Sequence, residues 1–366
     1  MPTLMIAGRP LEEYLTSPGQ NNFQLVRLLA ASMVVETHSH ILFYDDSRIA
    51  YLNQPFHLSF LGLPAFFFLS GLLVTQSFFK SSSSKNFLWK RFLRIYPAAW
   101  FCLLMTAFIM GPAVTTLPLK DYFSSPQLYR FLVSLSLFHT NLYLPGVFTH
   151  SVLGTSSTNS SLWTISLELK LYLALTFAGP VIKKIPAAKH LLLPVIVSAV
   201  AFYGWKNPSI PSAVKPWCTY GVQFLSGVAC YLYRDKIIIR PFLILLLPFL
   251  FFLSFRLHIY FYTAYLLIPA TVILSGTFAV TQLHRITPAP DLSYGIYIFA
   301  FPIQQLIANY ILPSGPIQFF LLSMAAIIPV AIISWYGIEK RALGLKNRVS
   351  RRHPLLSRRK IPRQEL

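Results

Sequence analysis

The sequence predicts an all-α, polytopic integral membrane protein, a bundle of about ten transmembrane helices, and three observations carry that prediction. Hydrophobic residues make up 55% of the chain and charged ones 11%, with a mean hydropathy of +0.56, a balance foreign to a domain of 366 residues folded in water. Apolar runs near the length that crosses a bilayer recur at about 24–44, 57–79, 92–112, 162–182, 190–205, 216–233, 241–255, 258–282, 291–311 and 316–337. Basic residues gather after every second run, a regularity that fits a chain threading back and forth.

The stretch before the first run, residues 1–20, carries Glu12 and Glu13 with Pro10 and Pro18 and lacks a basic-then-apolar signal layout. A short cytoplasmic extension is expected there, followed by a transmembrane domain over 21–340 and a basic cytoplasmic tail over 341–366 facing lipid headgroups. Lys and Arg number 31 against 11 Asp and Glu, a formal charge of +20 that in a soluble protein would suggest nucleic acid. No zinc-finger, helix-turn-helix or RNA-binding signature accompanies it. Instead Lys80, Lys85, Lys90, Arg91 and Arg94 follow the second run, and Lys183, Lys184 and Lys189 the fourth. Arg234, Lys236 and Arg240 follow the sixth, His284 and Arg285 the eighth, and the tail the tenth. The positive-inside rule then places both termini in the cytoplasm. Cys102, Cys218 and Cys230 lie in apolar segments without metal-ligand spacing and are read as small core residues, so no metal is expected.

The first run holds Arg27, Glu36, His38 and His40 inside apolar surroundings, where charge is costly and marks a pathway or reaction site. Arg27 and His38 are eleven residues apart, which returns to nearly the same helix face and separates them by roughly 16 Å. Glu36 and His40 lie off that face and are secondary. The competing account is that the Arg snorkels to headgroups and the His hydrogen-bonds at the interface. In the second run Ser70-Gly71 supplies small residues that let another backbone approach, so packing is favoured over catalysis. Arg91 and Arg94, three apart at a cytoplasmic helix start, can project together and grip a phosphorylated ligand, or simply anchor the helix to headgroups.

Residues 113–161 form the longest connection on the other side, and Leu128–Leu144, interrupted by Ser134, Ser136, His139 and Asn141, reads as an amphipathic or re-entrant piece. Beyond it Thr164, Glu168 and Tyr172 recur at i, i+4 and stack a hydroxyl, a carboxylate and a phenol on one stripe. In the ninth run Ser293-Tyr294-Gly295-Ile296-Tyr297 precedes Gln304-Gln305, a pair expected to face a cavity. Glu339 closes the tenth run as a helix-end ion pair or a functional carboxylate.

Taken in order, Arg27-Leu28-Leu29-Ala30 to His38, Phe67-Phe68-Leu69-Ser70-Gly71-Leu72, Arg91-Phe92-Leu93-Arg94-Ile95-Tyr96-Pro97, Leu162-Trp163-Thr164 with Glu168 and Tyr172, Ser293 to Tyr297, and Glu339-Lys340 resemble the successive motifs of membrane-bound acyltransferase family 3. These are the bacterial O-acetyltransferases that decorate surface polysaccharides. The resemblance spans nearly the whole chain, with Ala300 standing where many members carry a His and Lys340 where a Pro commonly follows the Glu. It implies a ten-helix core in the bacterial cytoplasmic (inner) membrane that takes an acyl group, usually acetyl, from cytoplasmic acyl-CoA and delivers it to a hydroxyl of a glycan or lipid-linked oligosaccharide. It makes Arg27 and His38 the first-helix pair, with His38 the reactive residue, and associates Arg91 and Arg94 with the donor; beside it, Arg27 is expected deeper along the donor's route to His38 and Glu168 as a second catalytic residue. Trp163 and Tyr172 are expected at the acceptor.

The chemistry agrees. A sugar hydroxyl is a poor nucleophile at neutral pH, and imidazole is the base suited to deprotonate it. His38 could act so or carry the acyl group briefly, and Glu168 could orient it or bind sugar hydroxyls. The rival class is a transporter or flippase for a glycan or lipid-linked sugar, because buried charges in a helical bundle also line substrate paths. That class predicts paired repeats with broken Gly or Pro centres, and no internal symmetry of that kind is found.

Overall fold

A computed structural model of the chain describes residues 8–16, 19, 21–43, 59–149, 155–206, 211, 214–278 and 290–346. The tail from 347 onward and the His284-Arg285 pair lie outside the described residues. The architecture is almost wholly helical: α1 (Phe23–Phe43), α2 (Ser59–Phe79), α3 (Ser84–Met105), α4 (Leu162–Lys184), α5 (Leu192–Lys206), α6 (Val222–Leu232), α7 (Leu247–Arg256), α8 (Tyr260–Thr277), α9 (Ser293–Tyr310) and α10 (Pro316–Ser334). A single short antiparallel pairing joins β1 (Arg9–Pro10) to β2 (Ile238–Ile239) among the described residues.

Four stretches among the described residues are long and apolar enough to cross a membrane: Leu61–Phe79, Ser84–Val114, Leu162–Lys184 and Pro316–Gly344. The fold class is therefore that of a helical membrane protein, whereas length and composition support four of the ten expected crossings. Prolines account for part of the shortfall. A proline cannot continue the hydrogen-bond ladder and instead starts a new turn. Pro186 and Pro241 accordingly open 3-10 turns, which leaves α5 with 15 residues and α7 with 10. Large exposed apolar side chains such as Phe177, Leu245 and Leu266 cover the outside, as a lipid-facing surface requires.

Local signals set the helix ends that matter for the site. Ser83 caps α3 by accepting from the Asn86 N–H, which starts the helix just ahead of Lys90, Arg91 and Arg94. At its far end α3 runs through a π turn over Thr106–Met110. A second π turn, over Trp335–Glu339, follows α10 and ends on the buried carboxylate of Glu339; such turns redirect side chains out of the regular helical register.

The closest helix contact joins α2 to α6. A Cβ on Gly71 would meet the Phe224 carbonyl oxygen at 2.0 Å, and one on Gly227 would meet the Phe68 carbonyl oxygen at 2.2 Å, so each helix uses a glycine to seat the other's backbone. The packing expectation for Gly71 thus holds, while its neighbour Ser70 points elsewhere. Gly71→Ala is expected to force the two helices apart and cost about 1–3 kcal/mol, read as a lower melting temperature in detergent; an unchanged value would refute the close contact.

The connection after α3 turns back into the bundle. It forms a helix over Pro126–Leu132 and a 3-10 turn over Val133–Ser136. Trp100 Nε1 then donates to the Leu135 carbonyl at 2.8 Å, Tyr96 to that of Ser136 at 3.0 Å, and Ser166 to that of Phe138 at 3.0 Å. The expected amphipathic or re-entrant piece therefore lies beside α3 and α4.

Candidate active site

Five helices enclose a cavity of about 130 Å³. Its wall takes Arg27 from α1, Ser70 from α2, Arg91 and Arg94 from α3, Glu168 and Tyr172 from α4, and Tyr297 from α9. The i, i+4 stripe on α4 delivers Thr164, Glu168 and Tyr172 to the wall together, as its spacing requires.

At the end nearest the start of α3, two guanidiniums share one carboxylate. Arg27 Nη1 lies 2.6 Å and Arg94 Nη2 2.7 Å from Asp291 Oδ2, and Arg94 Nη1 lies 3.3 Å from Glu339 Oε2. Ser293 donates to Asp291 Oδ1 at 2.6 Å and Ser334 to Glu339 Oε1 at 3.2 Å. Burial alone would push the Asp291 carboxyl up, but Arg94 and Arg27 outweigh it and hold the group at about 2. Asp291 therefore remains charged and ties α1 and α3 to the start of α9.

Arg91 differs from its partner. No carboxylate lies within ion-pair distance of it among the described residues. Its Nη2 donates to Ser77 Oγ at 3.2 Å, and its Nε is buried without a partner. Nearby, the Lys346 amine is pushed down to about 8, first by burial and then by Arg91, Arg94 and Lys90. This mouth holds an excess of positive charge.

Deeper in the cavity Ser70 donates to Glu168 Oε1 at 2.6 Å, Tyr172 donates to the same oxygen, and the two hydroxyls lie 3.0 Å apart. At the far end the Thr164 and Tyr297 hydroxyls are hydrogen-bonded, and Tyr297 also donates to the Ser161 carbonyl at 3.1 Å.

His38 stands beyond that end. Its ring meets Phe301 of α9 edge-on, with centroids 5.4 Å apart, beside the Gln304 side chain. Phe301 follows Tyr297 by one turn, about 6 Å along the helix. Arg27 faces Asp291 and His38 faces Phe301, so the two lie on the side of α1 that meets α9, as their spacing predicts. The Glu36 and His40 side chains pair with each other at 3.0 Å.

The structure brings Arg27, Arg91, Arg94, Glu168 and Tyr172 to one cavity and sets His38 a turn outside it. The hydrogen-bond partners of the Glu168 carboxylate are Ser70 and Tyr172, not His38. Trp163 is exposed, tilts against Tyr220 at 5.7 Å and does not line the cavity. The sequence-based expectations give Asp291 no role, although a carboxylate opening the ninth apolar run is a signal in a chain with 11 acidic residues. Ser70, expected to serve packing, is a polar member of the site.

A family model described as an acyltransferase domain (acyltransferase 3) matches residues 20–336. The chain is 28% identical to an O-acetyl transferase of Shigella phage Sf6, over 88% of this chain and 96% of that protein. It is 24% identical to nodulation protein 10 of Rhizobium leguminosarum bv. viciae, over 90% of this chain and 95% of that protein. No solved structure matches.

Proposed function

The chain belongs to acyltransferase family 3, and from that premise we propose that it is a membrane-bound O-acyltransferase. It moves an acyl group, acetyl as in the name of the phage relative, from cytoplasmic acyl-CoA to a hydroxyl of a cell-surface or exported glycan. On this reading its ten helices cross the bacterial cytoplasmic membrane with both termini inside, the arrangement favoured by the basic connections.

The observation that carries the proposal is the cavity with a half-buried guanidinium outside any ion pair at its mouth and a half-buried imidazole one turn beyond its other end. Arg91, supported by Lys90 and Lys346, takes phosphate oxygens of the donor, which a guanidinium grips through paired hydrogen bonds. Arg94 and Arg27, already engaged by Asp291, shape the mouth. The pantetheine arm passes Ser70, Glu168 and Tyr172 toward Tyr297, and the thioester reaches the level of His38.

There His38 removes the proton of the acceptor hydroxyl as its oxygen attacks the thioester carbonyl. The C–O bond forms and the C–S bond breaks. The leaving thiolate recovers a proton from the imidazolium, giving the acyl ester and free CoA thiol.

The test uses radiolabelled acetyl-CoA and the purified protein in lipid nanodiscs, with free thiol and labelled glycan as readouts. Thiol release that depends on added glycan is expected, whereas a transporter or flippase would leave the thioester intact. Arg91→Ala is expected to weaken CoA binding by about 10- to 100-fold, the loss of one charged hydrogen-bonding group, in a direct titration; an unchanged affinity would take Arg91 out of the donor site.

A further inference from the structure

Beyond the cavity lies a second polar region that the scheme above does not use. Segment 155–161 runs beside α9 without forming a helix and in the opposite direction. Gln305 Nε2 donates to the Thr155 and Ser157 carbonyls at 3.0 and 2.8 Å, Asn159 Nδ2 to the Ile298 carbonyl at 3.0 Å, and Tyr297 to the Ser161 carbonyl. The Ile298 carbonyl is open to Asn159 because Pro302, four residues on, brings no N–H. The backbone of the segment is thereby pinned along roughly 12 Å of α9, from Tyr297 to Gln305.

Three of its side-chain oxygens are not satisfied. Ser157 Oγ, Asn159 Oδ1 and Ser161 Oγ are buried without a partner, and the Gln304 side chain lies beside the His38 ring. A buried polar atom left unpaired costs about 1–3 kcal/mol, and non-helical backbone inside a membrane protein persists where it is covered by protein or lines a wet cavity. Three orphan atoms within five residues of one segment are more than a packed interior tolerates without an occupant.

Resting on the glycan reading above, we propose that Ser157, Asn159, Ser161 and Gln304 form the acceptor subsite, which takes the hydroxyls of an uncharged sugar and presents one of them to His38. The four residues offer oxygens that accept hydrogen bonds, two of them hydroxyls that also donate, which matches the dual character of sugar hydroxyls. None carries a charge, so the subsite suits a neutral ring and not a phosphate or a uronate. The segment and Gln304 also sit on the side of Tyr297 away from the basic mouth, so donor and acceptor approach His38 from opposite directions.

The experiment is the double variant Ser157→Ala and Ser161→Ala, which removes two hydroxyl groups and leaves the backbone carbonyls that hold the segment. Its acceptor probe is envelope glycan purified from cells lacking this chain, with radiolabelled acetyl-CoA as donor. We expect an unchanged or higher melting temperature in detergent, because two unpaired buried groups are gone, and unchanged CoA binding. The glycan concentration needed for half-maximal labelling is expected to rise about 5- to 100-fold, the loss of two hydrogen bonds, with each single variant giving part of the shift. An unchanged half-maximal concentration overturns the subsite and leaves the acyltransferase reading standing. An equal fall in glycan labelling and in glycan-free thiol release also overturns it, since the hydroxyls would then serve water at His38. If the unaltered protein labels no glycan, the reading beneath the subsite falls, and the subsite with it.

Discussion

His38→Ala is expected to lower acyl transfer by about 10²- to 10⁴-fold, the contribution of a positioned general base, while the protein still folds and still binds CoA. The geometry separates these outcomes. The imidazole is half-buried and packs edge-on against Phe301 beside the Gln304 side chain, outside the ion pairs that tie the helices, so little of the fold depends on it. The donor-gripping guanidiniums lie on the far side of Tyr297, so donor affinity has no reason to change. Incorporation of label into glycan, a CoA titration and melting in detergent measure the three quantities separately. Transfer within tenfold of the unaltered protein removes His38 from the chemistry; a loss of CoA binding in parallel would mean that the residue supports the cavity instead.

Asp291→Ala is expected to lower stability by up to about 3–5 kcal/mol, the penalty for removing one partner of a fully buried ion pair, less what the partial exposure of these three side chains returns. A single carboxylate oxygen holds Arg27 at 2.6 Å and Arg94 at 2.7 Å. Without it Arg27 has no carboxylate in reach among the described residues, and Arg94 keeps only Glu339 at 3.3 Å. The variant should melt lower in detergent and lose CoA affinity as the mouth loses its shape. pH gives the same test without mutation. The folded carboxyl sits at about 2, below about 3.9 for an exposed Asp, so its contribution is fully present above about pH 4. It is lost as pH falls through about 2. The melting temperature of the unaltered protein should therefore drop across that interval by more than that of the variant. Equal melting temperatures at pH 7 would show that the shared carboxylate does not hold the helices.

Much of this molecule is readable locally because helical periodicity is a local property. Arg27 and His38 are eleven positions apart on one helix, and Thr164, Glu168 and Tyr172 are four apart on another, so any helix through them must place each set on one stripe. Trp163 sits next to Thr164, and adjacent residues point in different directions, which is why the motif it belongs to enters the cavity while its indole does not. Ser70 was ambiguous for a related reason: its neighbour Gly71 serves packing, and only the arrival of α4 makes the hydroxyl a partner of Glu168.

Composition and periodicity are enough for a helical membrane chain, its resemblance to an acyltransferase family, and which residues share a helix face. Which side chains pair comes from the packing of the helices. Asp291 meets Arg94 across 197 residues and Arg27 across 264, and Glu339 meets Arg94 across 245. Such partnerships depend on how distant helices dock, and no local period encodes that. The same docking pairs Arg94 with two carboxylates and leaves Arg91 outside any ion pair among the described residues, so two arginines that look equivalent three residues apart are separated only by the fold.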